Sequence, residues 1–477
     1  MVFDIVNDLY VLIFRGRMGK INLDSITKEY FSDLEGNYSF GMESIAGNES
    51  IRNVNESIEL FKNGRVRIYG DTLKSLVKPK EFTYQNILRP YFNKSGINFS
   101  KIGSHPDFAD LKNSGDIENH HIVTMFVDIK RSSRLSLLMP LEKAYLVKNR
   151  ILQACVDVIR ALDGYPHRLM GDAVMAFFGD KKTSSEDAIA NALNAAASLK
   201  LILTKSVFPE LNRILGKDVN LGVRIGMDYG NDDEVIWANY GYGDASEVTA
   251  LGLPVDLASK AQSQAKTNTA MMGQGILEHI DFPELYSEIK KVIQNGVEKE
   301  ELYILPNMMD AVGKPINRRC RLLNMDMYQA VLPIPTDWKN GINSVIPHPN
   351  VIFTCYYKME SDSSFCEYRS ASSFLEKDVA LKFEVQISNP RELEVFYPLK
   401  VVFKKTNYGK EAREKNSEGS YEIERKIDYN NSQYQNQLVL DIPEATAYRG
   451  LHTMEVILYP NKSNVILYKN IIAVFIK

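Results

Sequence analysis

Two apolar runs, "HRLM" and "AVMAFFG", are separated only by Gly171 and Asp172. Each run is long enough to be a buried strand, and both linking residues tolerate turn geometry, so the stretch predicts a tight hairpin. A Gly-Asp pair alone is a turn signal and nothing more. Asp172 acquires chemical meaning only if a second group meets it at the hairpin tip.

The candidate partner is Asp128, which ends the β-branched and aromatic run "HIVTMFVDI". That run reads as a buried strand. An unpaired carboxylate at the end of such a strand is costly to desolvate, so either a cation satisfies it or the strand end meets solvent. If this strand lies beside the hairpin, Asp128 and Asp172 converge on one edge of a sheet. Two such carboxylates are what a pair of Mg²⁺ or Mn²⁺ ions needs from a protein, with nucleotide phosphates and water completing the shell. Between them "KRSSR" offers backbone donors and hydroxyls where a triphosphate could lie.

The surrounding pattern is mixed. "LEKAYLVKNRILQACVDVIRALDG" has apolar residues at helical spacing, with Gly164 at the position of a terminator. A second helix is expected from about Ser184, where Ser184 and Asp187 resemble a capping box. Then follow a strand "VNLGVRIGMDYG", read as a hairpin with "EVIWANYG", and a helix "PVDLASKAQSQA". This predicts an α+β sandwich, helices on a largely antiparallel sheet. After about Pro349 the helical pattern stops. "VALKFEVQIS" alternates cleanly, and "LEVFYPLKVVFKK", "LHTMEVILYP" and "NVILYKNIIAVFIK" read as further strands of a small all-β domain. Its basic run, Lys400, Lys404 and Lys405, is expected on a solvated strand edge.

A chain of 477 residues exceeds one ordinary core. The expected division is 1–117, an extension without an interpretable motif; 118–320, the α+β domain; and 345–477, the all-β domain. Lys plus Arg number 57 against 60 acidic residues, and the net charge of −3 gives no global attraction to nucleic acid. Cys155, Cys320, Cys355 and Cys366 are scattered, without a Cys-x-x-Cys pair, as in a reduced cytoplasmic protein. The N-terminal "MVFDIVNDLYVLIFRGR" is interrupted by Asp4 and Asp8 and too short to cross a bilayer, so it is expected to be an amphipathic segment rather than an anchor.

"FVDI", "GDAVMAFFG", "VRIGMDYG" and "ALGLPVDLASKAQSQA", in that order, resemble the class III nucleotidyl cyclases over roughly residues 120 to 285. The resemblance implies a ferredoxin-like antiparallel sheet with helices, and metal ligation by Asp128, Asp172 and the backbone carbonyl of Ile129. It also implies a homodimer with composite sites, metals from one subunit and the transition-state helix from the other. Where that family has Asn and, four residues later, Arg, this chain has Asp256 and Lys260, which are expected to hold the ribose and the α-phosphate. The purine-reading positions carry Arg168 and Thr249, which match neither the adenine nor the guanine code. With "GSHPDF" upstream and a β-rich C-terminal domain, the chain is similar to the pyrimidine nucleotide cyclases of bacterial Pycsar anti-phage systems. That implies a UTP or CTP substrate, a separate cyclic-nucleotide-gated effector, and a sensor-like C-terminal domain open to a phage-derived ligand. Arg168 supplies only donors, which ranks carbonyl-rich uracil before cytosine. The competing readings are an adenylyl cyclase with a rewired base pocket and a non-catalytic nucleotide sensor. His120, His121 and His167 are general-base candidates by residue type alone, and structural roles are expected for them.

Overall fold

The computed structural model describes residues 22–39, 82–304, 309–339, 341–342, 344–428, 436–460 and 465–477. The apolar N-terminal segment falls outside them. The chain divides into two compact units, residues 1–80 with 202–219 and residues 81–201 with 220–477. In the first, helix α1 (Leu23–Ser39) buries Tyr30 and Phe31, and its Thr27 hydroxyl accepts from Ser206 Oγ at 2.7 Å.

The second unit is built on a seven-stranded sheet. Strand β2 (Ile122–Lys130) lies inside it, third in order, flanked by β4 (Ala173–Phe178) and β5 (Gly222–Gly230), both antiparallel to it. Strand β3 (Gly164–Met170) pairs with β4 on the outer side, with Gly171 and Asp172 between them, so the expected hairpin is present. On the other side β8 (Thr269–Gly273) runs parallel to β5, followed by β12 (Cys320–Leu323) and β9 (Ser287–Glu288). The separate ribbon of β10 (Lys290–Gln294) and β11 (Val297–Glu301) stands outside this sheet.

Two details differ from expectation. Helix α4 (Leu141–Ala161), which follows α2 (Thr83–Leu88) and α3 (Ser133–Leu138), is not ended by Gly164. Asp163 takes the left-handed conformation instead, at φ 58°, and Gly164 opens β3. Gly164 is needed there because a Cβ would stand 2.5 Å from the Ile159 side chain and 2.7 Å from Phe178. Strand β6 (Ile236–Tyr240) is not hairpinned to β5 either. It forms a second sheet between β1 (Ile117–Asn119) and β7 (Glu247–Leu251), a strand not foreseen from the sequence. Trp237 on β6 stacks on Phe108 at 4.2 Å and edges onto Phe177, so aromatic packing rather than strand pairing joins the two sheets.

Helix α5 (Ser185–Ile202) begins as expected, with Ser184 Oγ accepting the Asp187 N–H at 3.2 Å. Beyond α6 (Phe208–Leu215), helix α7 (Leu253–Gln264) buries Val255, Leu257, Ala258 and Ala261 against the sheet. The approach is so close that a Cβ on Gly226 of β5 would lie 1.9 Å from the Gln262 nitrogen and 2.4 Å from the Ala258 carbonyl. Both obstacles are backbone. We expect Gly226→Ala to cost at least about 2 kcal/mol, read as a lowered thermal midpoint, because α7 must move off the sheet. An unchanged midpoint would show that the helix gives way freely.

The C-terminal domain is the expected sandwich. One sheet is formed by β13 (Val351–Lys358), β14 (Cys366–Tyr368), β16 (Ala380–Ser388) and β19 (Gln437–Ala445), in the order β14-β13-β16-β19. The other contains β15 (Phe374–Leu375), β17 (Leu399–Asn407), β18 (Gly419–Ile427), β20 (Gly450–Pro460) and β21 (Tyr468–Ile476). Its order is β15-β21-β20-β17-β18. Phe353, Phe383, Val385, Val401, Phe403, Val456 and Val474 share the core between them. Lys400, Lys404 and Lys405 are not on an edge: β17 is paired on both sides, with Lys400 and Lys405 neutralised by Glu424 and Glu444 at 2.6 Å each. The sandwich is tied to the seven-stranded sheet through α5, α8 (Gln274–His279) and α9 (Met325–Val331). Asn194 donates to the Ala371 carbonyl at 2.8 Å and accepts from Tyr328 at 3.0 Å, and Arg449 donates to the His279 carbonyl at 2.6 Å.

Candidate active site

Asp128 lies opposite Ala173 in the β2–β4 register, one residue beyond Asp172 at the turn. The two aspartates therefore stand at neighbouring positions on adjacent strands, which are about 4.8 Å apart in any sheet. Gly171 makes the turn at φ 66° with open space around it. The Ile129 N–H donates to the Asp172 carbonyl at 3.3 Å, which locks the turn to β2, and the Ser132 hydroxyl donates to Asp172 Oδ2. "KRSSR" thus orients one carboxylate. The Ile129 carbonyl accepts from the Ser132 N–H at 3.3 Å.

Across β2 from Asp128 is Arg224 on β5, whose Nε and Nη2 both donate to Asp128 Oδ2, at 3.0 and 2.5 Å. This partner was missed in the sequence, where the signal was a lone cation inside the otherwise apolar "VRIGM". Arg224 and Ser132 each engage one oxygen of their aspartate. The donor set that faces a further cation is carboxylate and carbonyl oxygen, which suits hard Mg²⁺ or Mn²⁺ rather than softer ions.

The other expected residues gather around a cavity of about 490 Å³ lined by Arg168, Thr249, Asp256 and Lys260, with Phe126, Tyr240 and Ser259 among its walls. Asp256 and Lys260 are one turn apart on the exposed face of α7, while Val255, Leu257 and Ala258 hold the opposite face in the core. Thr249 is buried on β7. Asp128 and Asp172 are not among the cavity's lining residues, though Phe126 and Met170, each two residues from one of them, are.

Arg168 is ion-paired with Glu247 Oε1, a residue that sequence reasoning missed because nothing marked β7 as a strand. The second carboxylate oxygen of Glu247 lies 3.5 Å from His167 Nε2. Burial, followed by the adjacent Arg168 charge, pushes His167 down to about 4, so the ring is neutral at pH 7 and this contact is not an ion pair. His105 of "GSHPDF" is also buried; its Nε2 meets the Gly179 carbonyl at 3.0 Å and its ring lies against Trp237 and Tyr165. It is a packing residue that joins the end of β4 to β6.

Comparison with known proteins places this arrangement in a family. Residues 332–477 match the family described as the Adenylyl/Guanylyl and SMODS C-terminal sensor domain. Over 413 residues the chain is 50% identical to a cytidylate cyclase of Escherichia coli, covering 83% of this chain and 88% of that one. A cytidylate cyclase of Staphylococcus aureus is 34% identical, with 80% and 85% covered. Among solved structures, the adenylyl cyclase CyaB from P. aeruginosa aligns with 44% of this chain and 95% of its own, at 18% identity and a TM-score of 0.35. The chain belongs to the family of these cytidylate cyclases and is a pyrimidine nucleotide cyclase. Among the described residues no helix is long and apolar enough to cross a membrane.

Proposed function

We propose that the protein converts CTP into 3′,5′-cyclic CMP and pyrophosphate. The observation that carries the choice of base is the guanidinium of Arg168, held by Glu247 at the wall of the cavity. A planar fork donates best to two adjacent acceptors, as when arginine reads a base edge bidentately. Cytosine offers such a pair in O2 and N3. In uracil the two carbonyls are separated by an N–H that would face the fork donor to donor. The Glu247 carboxylate beside the fork is an acceptor suited to the 4-amino group of cytosine, and uracil has no donor there. This reverses the ranking expected from counting donors alone, and it agrees with the names of the relatives.

In this reading the ribose 3′-oxygen attacks the α-phosphorus, the bond to the bridging oxygen breaks, and pyrophosphate departs with that electron pair. Asp128, Asp172 and the Ile129 carbonyl would hold two divalent ions, Mg²⁺ or Mn²⁺, which neutralise the triphosphate and acidify the attacking hydroxyl. Lys260 faces the α-phosphate as a point charge, and Asp256 accepts from the ribose. Arg168 and Thr249 fix the base, so nucleophile and phosphate are held in one bent nucleotide. A cytoplasmic messenger role in anti-phage defence follows from the same reading, with a separate effector protein receiving the product and the C-terminal sandwich sensing a phage-derived ligand.

The test is incubation with equimolar ATP, GTP, CTP and UTP and either metal, with products identified by mass. Cyclic CMP should predominate. Predominant cyclic UMP would overturn the Arg168 argument, and predominant cyclic AMP or GMP the pyrimidine reading. Glu247→Gln should lower the preference for CTP over UTP about tenfold, the scale of one mismatched buried hydrogen bond.

A further inference from the structure

We propose a second metal site, separate from the catalytic carboxylates, formed by His120, His121 and Asp232 and selective for a zinc-like divalent cation. One ligating atom from each residue lies within 4.8 Å of the others. His120 and His121 connect β1 to β2 and belong to neither strand, so their rings need not alternate across a pleat. They lie together, with centroids 4.3 Å apart.

The hydrogen bonding occupies one nitrogen of the His121 ring and leaves one nitrogen of the His120 ring without a partner. His121 Nε2 lies 3.3 Å from the Thr183 carbonyl, which can only accept, so Nε2 carries the ring proton. Nδ1, the other nitrogen of that ring, stands 3.4 Å from Asp232 Oδ1. Nε2 of His120 is shut off from solvent and meets no hydrogen-bond partner. Two imidazoles and a carboxylate whose ligating atoms lie within 4.8 Å of one another form a donor set for a divalent cation.

The loop does not need that cation to take its shape. Asp232 Oδ1 accepts the His121 backbone N–H at 2.6 Å, and the Asp232 carbonyl accepts from Asn119 Nδ2 at 2.7 Å. Asp232 and His121 are therefore held together before any ion arrives. A tetrahedral ion with bonds of 2.0–2.1 Å sets its ligands about 3.4 Å apart, a spacing already present between His121 and Asp232. Asp232 is mostly exposed, which leaves room for water as a fourth ligand. Mixed imidazole and carboxylate ligands favour zinc, cobalt or nickel over the Mg²⁺ suited to oxygen alone.

Along β2 the site is about 23 Å from Asp128, at a strand rise of about 3.3 Å per residue. It joins the start of β2 to the loop leading into β6, whose neighbour β7 carries Glu247 and Thr249. Bound metal would thus tether the base-reading hairpin to the catalytic sheet.

The test uses the full chain, without an affinity tag, stripped with chelator. It is loaded with Zn²⁺ in excess Mg²⁺, desalted, and assayed for bound zinc by mass spectrometry, with Co²⁺ visible bands as a second readout. The wild type should retain one equivalent per chain. Asp232→Asn preserves the acceptor for the His121 N–H while removing the charge, and His120→Gln removes a ligand; each should bind zinc at least tenfold more weakly. Retention of the same equivalent by both variants, or no retention by the wild type, would overturn the proposal.

Discussion

Asp128→Asn and Asp172→Asn should each lower the turnover of CTP at least about a thousandfold, a loss of about 4 kcal/mol of transition-state stabilisation. The fold should survive both changes. The amide oxygen introduced at position 128 can still accept from Arg224, and the one at position 172 can still accept from the Ser132 hydroxyl, so neither donor is stranded. What disappears is negative charge at two neighbouring strand positions. In the proposed mechanism that charge holds the metal ions and, through them, the triphosphate. Arg224 sharpens the expectation, because it already supplies one positive charge to Asp128 and, beside a neutral amide, would repel an incoming metal. Product formation at saturating Mn²⁺ and the thermal midpoint, measured together, separate lost chemistry from lost structure. A variant that keeps its turnover would remove that aspartate from the reaction.

A mixture of two dead enzymes should recover activity. Asp172→Ala removes a carboxylate from the strand edge, and Lys260→Ala removes a cation from the cavity at α7. In the proposed mechanism Arg168, Thr249, Asp256 and Lys260, which line that cavity, act on a nucleotide whose metals are held by Asp128 and Asp172 of the other subunit. A symmetric dimer that faces these two groups together makes two composite sites. Random exchange yields half heterodimers, each with one intact site of two, so recovery should approach about a quarter of wild-type activity. Mixtures that remain inactive after confirmed subunit exchange would place the whole reaction within one chain.

Features set by neighbours in sequence were legible without coordinates. The hairpin at Gly171-Asp172 depends on two residues of turn chemistry between two apolar runs, and the start of α5 depends on Ser184 and Asp187, three residues apart. The alternation of "LKFEVQIS" marks one face of β16 because side chains change sides at every residue. Even the meeting of Asp128 with Asp172 was readable, since both sit where strands end. Features set by neighbours in space were not. Arg224 lies 96 residues from the carboxylate it pairs with, and its place depends on β5 lying beside β2. Glu247 meets Arg168 only because β7 folds into a second sheet that no local period announced. Gly164 and Gly226 look like breakers in sequence, yet both are clearances cut for a side chain and for a helix backbone. Turns, caps and alternation arise within a few residues of backbone and were written in the chain; ion pairs and close approaches were decided by packing between distant segments.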